Sequence, residues 1–333
     1  MRHPTLVDLA DRTGVGLPRG LREEWPPVLA QADERGWFRF QRLYDVARSV
    51  LRDPSDVRRL LDETIADEAA EGSRWLEIQV DPSGYASLFD GLTSFTELVL
   101  DAVATSARTH HVGVGVIIAA NRTRNELDAR TLARLAVRFA DRGVIGFGLS
   151  NDERRAPAEV FDHAFAIAAR AGLLLTPHAG ELLGPESVRS ALDSLHADRL
   201  GHGVRVAEDP ALLDRVAAAG IGLEVCPASN VGLGVYPDMT SVPLRRLVDA
   251  GAAVALGADD PLLFGHRLIA QYAAARAIHG FDDNSIAALA RSSFAVSRAP
   301  SDVVANAMAD IDTWLAADPA DADPSNGTTR TGT

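Results

Sequence analysis

The sequence contains no lysine. All 33 of its basic residues are arginine, set against 46 acidic ones for a net charge of −13 over 333 residues. Without lysine there is no Schiff-base aldolase, no pyridoxal-phosphate enzyme, no P-loop NTPase and no metal centre bridged by a carbamylated lysine. Cysteine is nearly absent as well. The single Cys226 excludes an internal disulfide and a Cys-rich zinc site, and fits a reducing compartment. The longest apolar stretches, such as Val112–Ala120, are too short to span a bilayer, and Met1-Arg2-His3-Pro4 lacks the apolar run of a signal peptide. The expectation is a cytoplasmic protein with no membrane partner. The acidic balance argues against a nucleic-acid partner, because phosphate backbones are held by clustered positive charge. No G-x-G-x-x-G opens a helix after a strand, so a dinucleotide site has no support.

What is present is a regular alternation. Short apolar runs of β type lie at Trp75–Val80, Val112–Ala119, Val144–Leu149, Leu173–Pro177, Arg199–Gly201, Gly222–Cys226 and Ala253–Gly257. Between them lie helical patterns such as Ala129–Arg142, Ala158–Ala171, Pro185–Ala197, Pro210–Ala219 and Val242–Ala250. Several end in a glycine just before the next strand, at Gly143, Gly172, Gly220 and Gly251, where a left-handed residue terminates a helix. Strand-then-helix alternation with continuous apolar strands predicts a parallel sheet with helices outside it. The spacing of roughly 30 residues suits an eight-stranded (β/α)8 TIM barrel, with an open doubly wound sheet as the competitor. Residues 1–74 read as helices over Pro4–Thr13, Leu21–Asp33, Phe40–Leu51 and Asp56–Ala70, forming a lid region. Two or three helices follow Asp282 and end near Ala316, so the domain is 1–316. Residues 317–333 are almost free of apolar side chains and are expected to be disordered.

In a parallel barrel the chemistry lies at the C-terminal ends of the strands. His178-Ala179-Gly180-Glu181 follows the fourth run, His202 the fifth, and Asp259-Asp260-Pro261 the last. Singly, each has a plain structural reading: a satisfied core histidine, an acidic residue at a helix start, a cap and turn. Together they bring two imidazoles and three carboxylates to one rim, a ligand set that suits zinc. His110 and His111 precede a strand and fall at the opposite end; His163, His196 and His279 lie on helical stretches.

These motifs resemble those of the adenosine deaminase family of zinc-dependent purine deaminases. His178–Glu181 matches its HAGE, Arg199-Leu200-Gly201-His202-Gly203 resembles RIGHG, Glu224-Val225-Cys226-Pro227-Ala228-Ser229-Asn230 resembles EVCPxSN, and Asp259-Asp260-Pro261 matches DDP. Phe147–Glu153 resembles a loop that usually ends Gly-Asp-Glu. The resemblance implies a barrel of the metal-dependent hydrolase type. It implies Zn2+ held by His178 and Asp259, His202 as base toward the water the metal activates, Glu181 as proton donor to the purine ring, and Asp260 on the opposite edge of the base. The implied activity is hydrolytic deamination of a 6-aminopurine nucleoside, with aminodeoxyfutalosine or adenine as alternatives.

The sequence also departs from the family pattern. Asn151 stands where a glycine is usual, so its side chain is expected to reshape the substrate pocket. Gln79 stands where arginine is common. The H-x-H motif that supplies two further zinc ligands at the end of the first barrel strand is absent, and the match begins with Arg2–Ala10. The expectation is therefore a barrel whose first strand is missing from this chain and a start codon that lies upstream. As written, the chain should bind zinc weakly and turn over little. The alternative is a non-catalytic relative that binds a purine or a protein partner. Trp37, Phe38, Phe40 and Tyr44 are candidates for the pocket wall or for packing.

Overall fold

A computed structural model describes residues 1–29 and 36–317. Seven strands form one sheet: β1 (Trp75–Val80), β2 (Gly113–Asn121), β3 (Val144–Ser150), β4 (Leu174–Ala179), β5 (Arg199–His202), β6 (Gly222–Val225) and β7 (Ala253–Leu256). They pair in chain order, and every pairing is parallel. All seven expected strands are present, and each begins within a residue of its expected start. The inner strands β2 to β5 are buried almost throughout, whereas β1 is half-buried and β7 alternates. This is the pattern of a parallel sheet covered by helices, with β1 and β7 at its edges.

The sheet is curled. Arg199 on β5 reaches Glu77 on β1 at 2.5 Å (Nη2 to Oε2) and Glu224 on β6 at 2.8 Å (Nε to Oε1). In a flat sheet β1 and β5 would stand about 19 Å apart, at roughly 4.8 Å per strand. The two side chains can meet only across the concave interior. Thr176 on β4 donates to the same Glu224 carboxylate at 2.8 Å. Arg199 Nη1 donates to the Val296 carbonyl at 2.9 Å, and Glu77 also accepts from the Arg298 amide at 2.7 Å. One arginine thus ties the sheet interior to the chain after the helix Asp283–Ala295.

The glycines at 143, 172, 220 and 251 all have φ between 66° and 106°, as their helix-ending positions require. The helix Leu92–His110 fills the connection between β1 and β2. The helix Pro54–Ala70 starts at a capping box in which Asp53 accepts from the Ser55 amide and Asp56 accepts from the Asp53 amide. It packs through Val57, Leu61 and Ile65 into the main core with Phe95, Val99 and Val103. Leu60 of the same helix packs against a second, smaller core. In that second core Leu6, Leu9, Trp37, Phe40 and Leu43 meet Leu262, Leu263 and Phe264.

Over its described part, residues 21–29, the expected helix Leu21–Asp33 does not form. A single turn, Arg19–Arg22, is followed by irregular chain through residue 29, because Pro26 and Pro27 supply no amide donors and obstruct the preceding turn. The remainder of that stretch, and the tail from 318 onward, lie outside the described residues. Among the described residues, no helix is long and apolar enough to cross a membrane.

Removing the Arg199 side chain would leave the Glu77 and Glu224 carboxylates facing each other in the interior. Arg199→Ala is expected to cost about 3–5 kcal/mol of unfolding free energy, read from urea denaturation at neutral pH. A loss below about 1 kcal/mol would show that the cluster does not hold the curl.

Candidate active site

The ends of five consecutive strands supply the site. His178 lies on β4 opposite Gly201 of β5, and Ala179 lies opposite His202. Gly201 is required by this packing: a Cβ there would come within 2.5 Å of His178 Nδ1. Three non-glycine residues at strand ends adopt positive φ: Asn151 after β3 (75°), His202 at the end of β5 (62°) and Asp259 after β7 (55°). Such conformations cost about 1–3 kcal/mol each and persist where the surroundings over-determine them, typically at functional sites.

The side chains converge. His202 Nε2 lies 3.3 Å from Glu181 Oε1 and 3.9 Å from Asp259 Oδ2. The rings of His178 and His202 meet edge to face, with centroids 5.1 Å apart. Glu181 and His202 are almost fully buried, whereas the Asp259 side chain remains 23 % exposed. Burial pushes the Glu181 carboxyl up to about 7; Asp259 and Glu153 act in the same direction, and His202 opposes them. Burial works to lower the His202 pKa, but the charges of Glu181 and Asp259 outweigh it and raise it. Burial, with His202 beside it, holds His178 well below its ordinary value, as a neutral imidazole. Burial and the adjacent Asp259 push Asp260 up to about 7. A carboxyl that holds its proton up to about 7, an imidazole of raised pKa and one of lowered pKa therefore share one rim.

The family model described as "Adenosine deaminase" matches residues 1–314. The chain belongs to the adenosine deaminase family. It is 60% identical over 315 residues to a putative adenosine/adenine deaminase of Streptomyces virginiae, covering 95% of this chain and 93% of that protein. Its fold is similar to that of an adenine deaminase from Arthrobacter aurescens, with TM-score 0.87, 28% identity and 95% of each chain covered. It is also similar in fold to an amidohydrolase from Burkholderia ambifaria solved with bound Zn, with TM-score 0.83, 24% identity, 95% of this chain and 87% of that one covered. These relatives make the chain a hydrolytic deaminase of the adenosine/adenine type.

The deaminase's rim carries donors suited to a metal. The Nδ1 atoms of His178 and His202 are buried without a hydrogen-bond partner. Donor atoms of His202, Cys226 and Asp259 lie within 4.8 Å of one another. Neutral imidazole, carboxylate and sulfur are the donor types zinc prefers, so the residues fit the ion. Cys226 is the residue that sequence reasoning left out. Its position directly after β6 was the available signal, but a single cysteine read only as the absence of a Cys-rich site.

Other predicted residues sort clearly. Asn151 turns its side chain back on its own loop, Oδ1 accepting from the Asp152 amide at 2.7 Å. Trp37 and Phe40 are packing residues, 7% and 8% exposed, and Phe40 stacks on Phe264 at 5.3 Å. This seats the lid helix Gly36–Arg48 on the turn that follows Asp260. Phe38 and Tyr44 are exposed, and Phe38 lies under the Arg154 guanidinium at 5.2 Å. Met1 packs into the lid core, with its amino group near enough to Asp260 to feel its charge. His3 is structural, stacked on Trp25 and bonded to the Leu21 carbonyl. His110 pairs with Asp62 away from the rim.

The raised Glu181 carboxyl has a consequence for stability. The folded protein keeps a proton there that the unfolded chain releases near pH 4.5, so stability falls as pH rises from 4.5 towards 7. The penalty is fully present above 7. Glu181→Gln removes it, and with metal chelated the variant should gain up to about 3 kcal/mol over wild type at pH 8. The gain should vanish near pH 4.5. Thermal melts of both proteins across that range test this; a gain that does not depend on pH would remove the buried proton from the account.

Proposed function

We propose that this chain hydrolyses a 6-aminopurine to its 6-oxo product and ammonia, using zinc. The observation that carries the reading is the Glu181 carboxyl, protonated to about 7 and set 3.3 Å from His202 Nε2 at the rim that also holds Asp259. A group that donates a proton and a group that accepts one stand side by side, their pKa values moved in the directions those tasks need.

His178 and Asp259 would hold the metal, with the Cys226 sulfur close by. Zinc bound there supplies Lewis acidity and lowers the pKa of water towards roughly 7. His202 Nε2 takes the proton from the attacking water, and the carboxylates around it stabilise the charge it acquires. Glu181 donates its proton to the ring nitrogen beside C6, which lets that carbon accept the oxygen. Asp260, kept protonated by burial, hydrogen-bonds the opposite edge of the base. His202 then returns its proton to the amino group, the C6–N bond breaks and ammonia leaves; as the C6=O bond forms, the remaining hydroxyl proton goes to restore the Glu181 carboxyl. The lid core of Trp37, Phe40 and Phe264 excludes water above the site. Asn151 shapes the pocket through its left-handed backbone more than through its side chain.

We read residues 1–316 as one domain and the curled sheet as a (β/α)8 barrel in which β1 and β7 flank the place of an eighth strand. The cross-interior contact between Arg199 and Glu77 supports that closure. An adenosine-like nucleoside is the first substrate reading. The free base adenine is the second, favoured by the similarity to the Arthrobacter adenine deaminase.

Ammonia release from adenosine, adenine and aminodeoxyfutalosine by the full chain with added zinc tests the proposal. Turnover, expected to be low without the H-x-H ligands, should require the metal and disappear with a chelator. Glu181→Gln should abolish it while leaving zinc content unchanged. No release from any 6-aminopurine would reject the reaction; an unaffected rate in Glu181→Gln would remove that residue from its role.

A further inference from the structure

The loop that carries Glu181 has an unusual anchor. Four consecutive amides, those of Gly180, Glu181, Leu182 and Leu183, all donate to the one carboxylate of Glu153. Gly180 reaches Oε1 at 2.6 Å; Glu181, Leu182 and Leu183 reach Oε2 at 3.1, 2.7 and 2.8 Å. Glu153 is 2% exposed. Gly180 has φ of 75°, the left-handed turn that lets successive N–H groups converge on one point. Such a concavity is built to bind an anion, and here the anion is a side chain of the neighbouring loop.

The other side of the same segment is held by a buried cation. Arg122, also 2% exposed, follows β2. Its guanidinium donates to the carbonyl of His178 and, at 2.8 Å, to that of Ala156. Its own amide donates to the Ser150 carbonyl at 3.0 Å. The loops after β2, β3 and β4 are therefore locked together, and the segment between the two anchors is His178–Leu183.

We propose that Glu153 and Arg122 are positioning residues for the deamination, forming a buried clamp that fixes His178 and Glu181 relative to His202. The proposal rests on the reading of Glu181 as proton donor. Neither clamp residue touches the reacting atoms. Glu153 sets the peptide planes on both sides of Glu181, and Arg122 fixes the carbonyl of His178. The Glu181 carboxyl can hold its place beside His202 only while those planes are fixed. A glutamine at 153 has the same shape, but its amide nitrogen is a donor. One end of it would face N–H groups, donor against donor, and at least one of the four amides would turn away.

Glu153→Gln tests this with Leu132→Ala as a control. Leu132 is a buried residue on the outer helix Glu126–Arg138, and its truncation destabilises the fold without reaching the rim. In Glu153→Gln, kcat should fall about 100-fold, as expected of misplacement by an ångström or so, with KM changed by less than about threefold. Leu132→Ala should lower the melting temperature and leave kcat unchanged. Amide hydrogen exchange over residues 180–183 should accelerate in Glu153→Gln and not in the control. Should Glu153→Gln fail to fold, Glu153→Asp carries the test, with about a tenfold loss of kcat and the same local exchange. A kcat within about threefold of wild type, or a loss shared by Leu132→Ala, overturns the clamp. If wild type releases no ammonia from any 6-aminopurine, the functional reading fails on its own. The exchange data still decide the clamp, and unchanged protection over 180–183 in Glu153→Gln refutes it.

Discussion

One arginine in the interior of the sheet sets the geometry on which the rest depends. Parallel strands would make an open, twisted sheet as readily as a curled one, and backbone hydrogen bonding does not choose between them. Arg199 does. Its guanidinium bridges carboxylates on β1 and β6 and a carbonyl beyond the helix Asp283–Ala295, so β1 faces β5 across the interior. Curling brings the strand ends into an arc. That arc lets a loop after β3 reach under the loop after β4, and lets residues after β7 stand beside His202.

The rim gathered by this curl is rich in acid. Glu181, Asp259, Asp260 and Glu153 crowd two imidazoles, and the low polarity of the surroundings makes their mutual repulsion expensive. The protein resolves it by division of labour. Glu181 and Asp260 hold protons up to about 7, the Glu153 carboxylate accepts from four amides, and His202 gains basicity from the charges of Glu181 and Asp259. Asn151, His202 and Asp259 adopt left-handed backbones, which Asn, His and Asp tolerate better than most residues. Each places a side chain or an amide where ordinary strand geometry could not, and the surrounding packing bears the cost.

Much of this was legible in the sequence. The strands declared themselves by apolar runs ending in His178, His202 and the Asp259–Asp260 pair, and the helix-ending glycines marked the period. Those signals are local. The failures were also physical. The helix expected over Leu21–Asp33 carried the right apolar spacing, but Pro26 and Pro27 override periodicity. Position in the chain also does not reveal that the helix Pro54–Ala70 places Val57, Leu61 and Ile65 in the main core and Leu60 against the smaller one. Asn151 was expected to reshape the pocket, and no spacing rule reveals that its Oδ1 accepts from the neighbouring Asp152 amide. Glu153 and Arg122 stand 27 and 56 residues from the groups they hold. No spacing rule links a carboxylate to four amides of another loop, so the clamp emerges only from the fold.

The absence of lysine takes on a different meaning against this structure. Both buried cations that organise the molecule make several directed bonds at once. Arg199 contacts two carboxylates and a carbonyl, and Arg122 holds two carbonyls beside the Glu153 carboxylate. A lysine ammonium has three donors on one atom at the end of a flexible stem, is more strongly hydrated, and loses its proton readily when buried. It could not bridge β1 to β6 or span two loops, and in so dry a setting it would tend to become neutral. Arginine stays charged under the same burial, and its planar fork fixes direction as well as distance. A composition that excluded lysine chemistry from the active site thus left the interior with the cation best able to build one: in the proposed mechanism catalysis falls to imidazole and carboxylate, and arginine would supply the frame that keeps them apart and aligned.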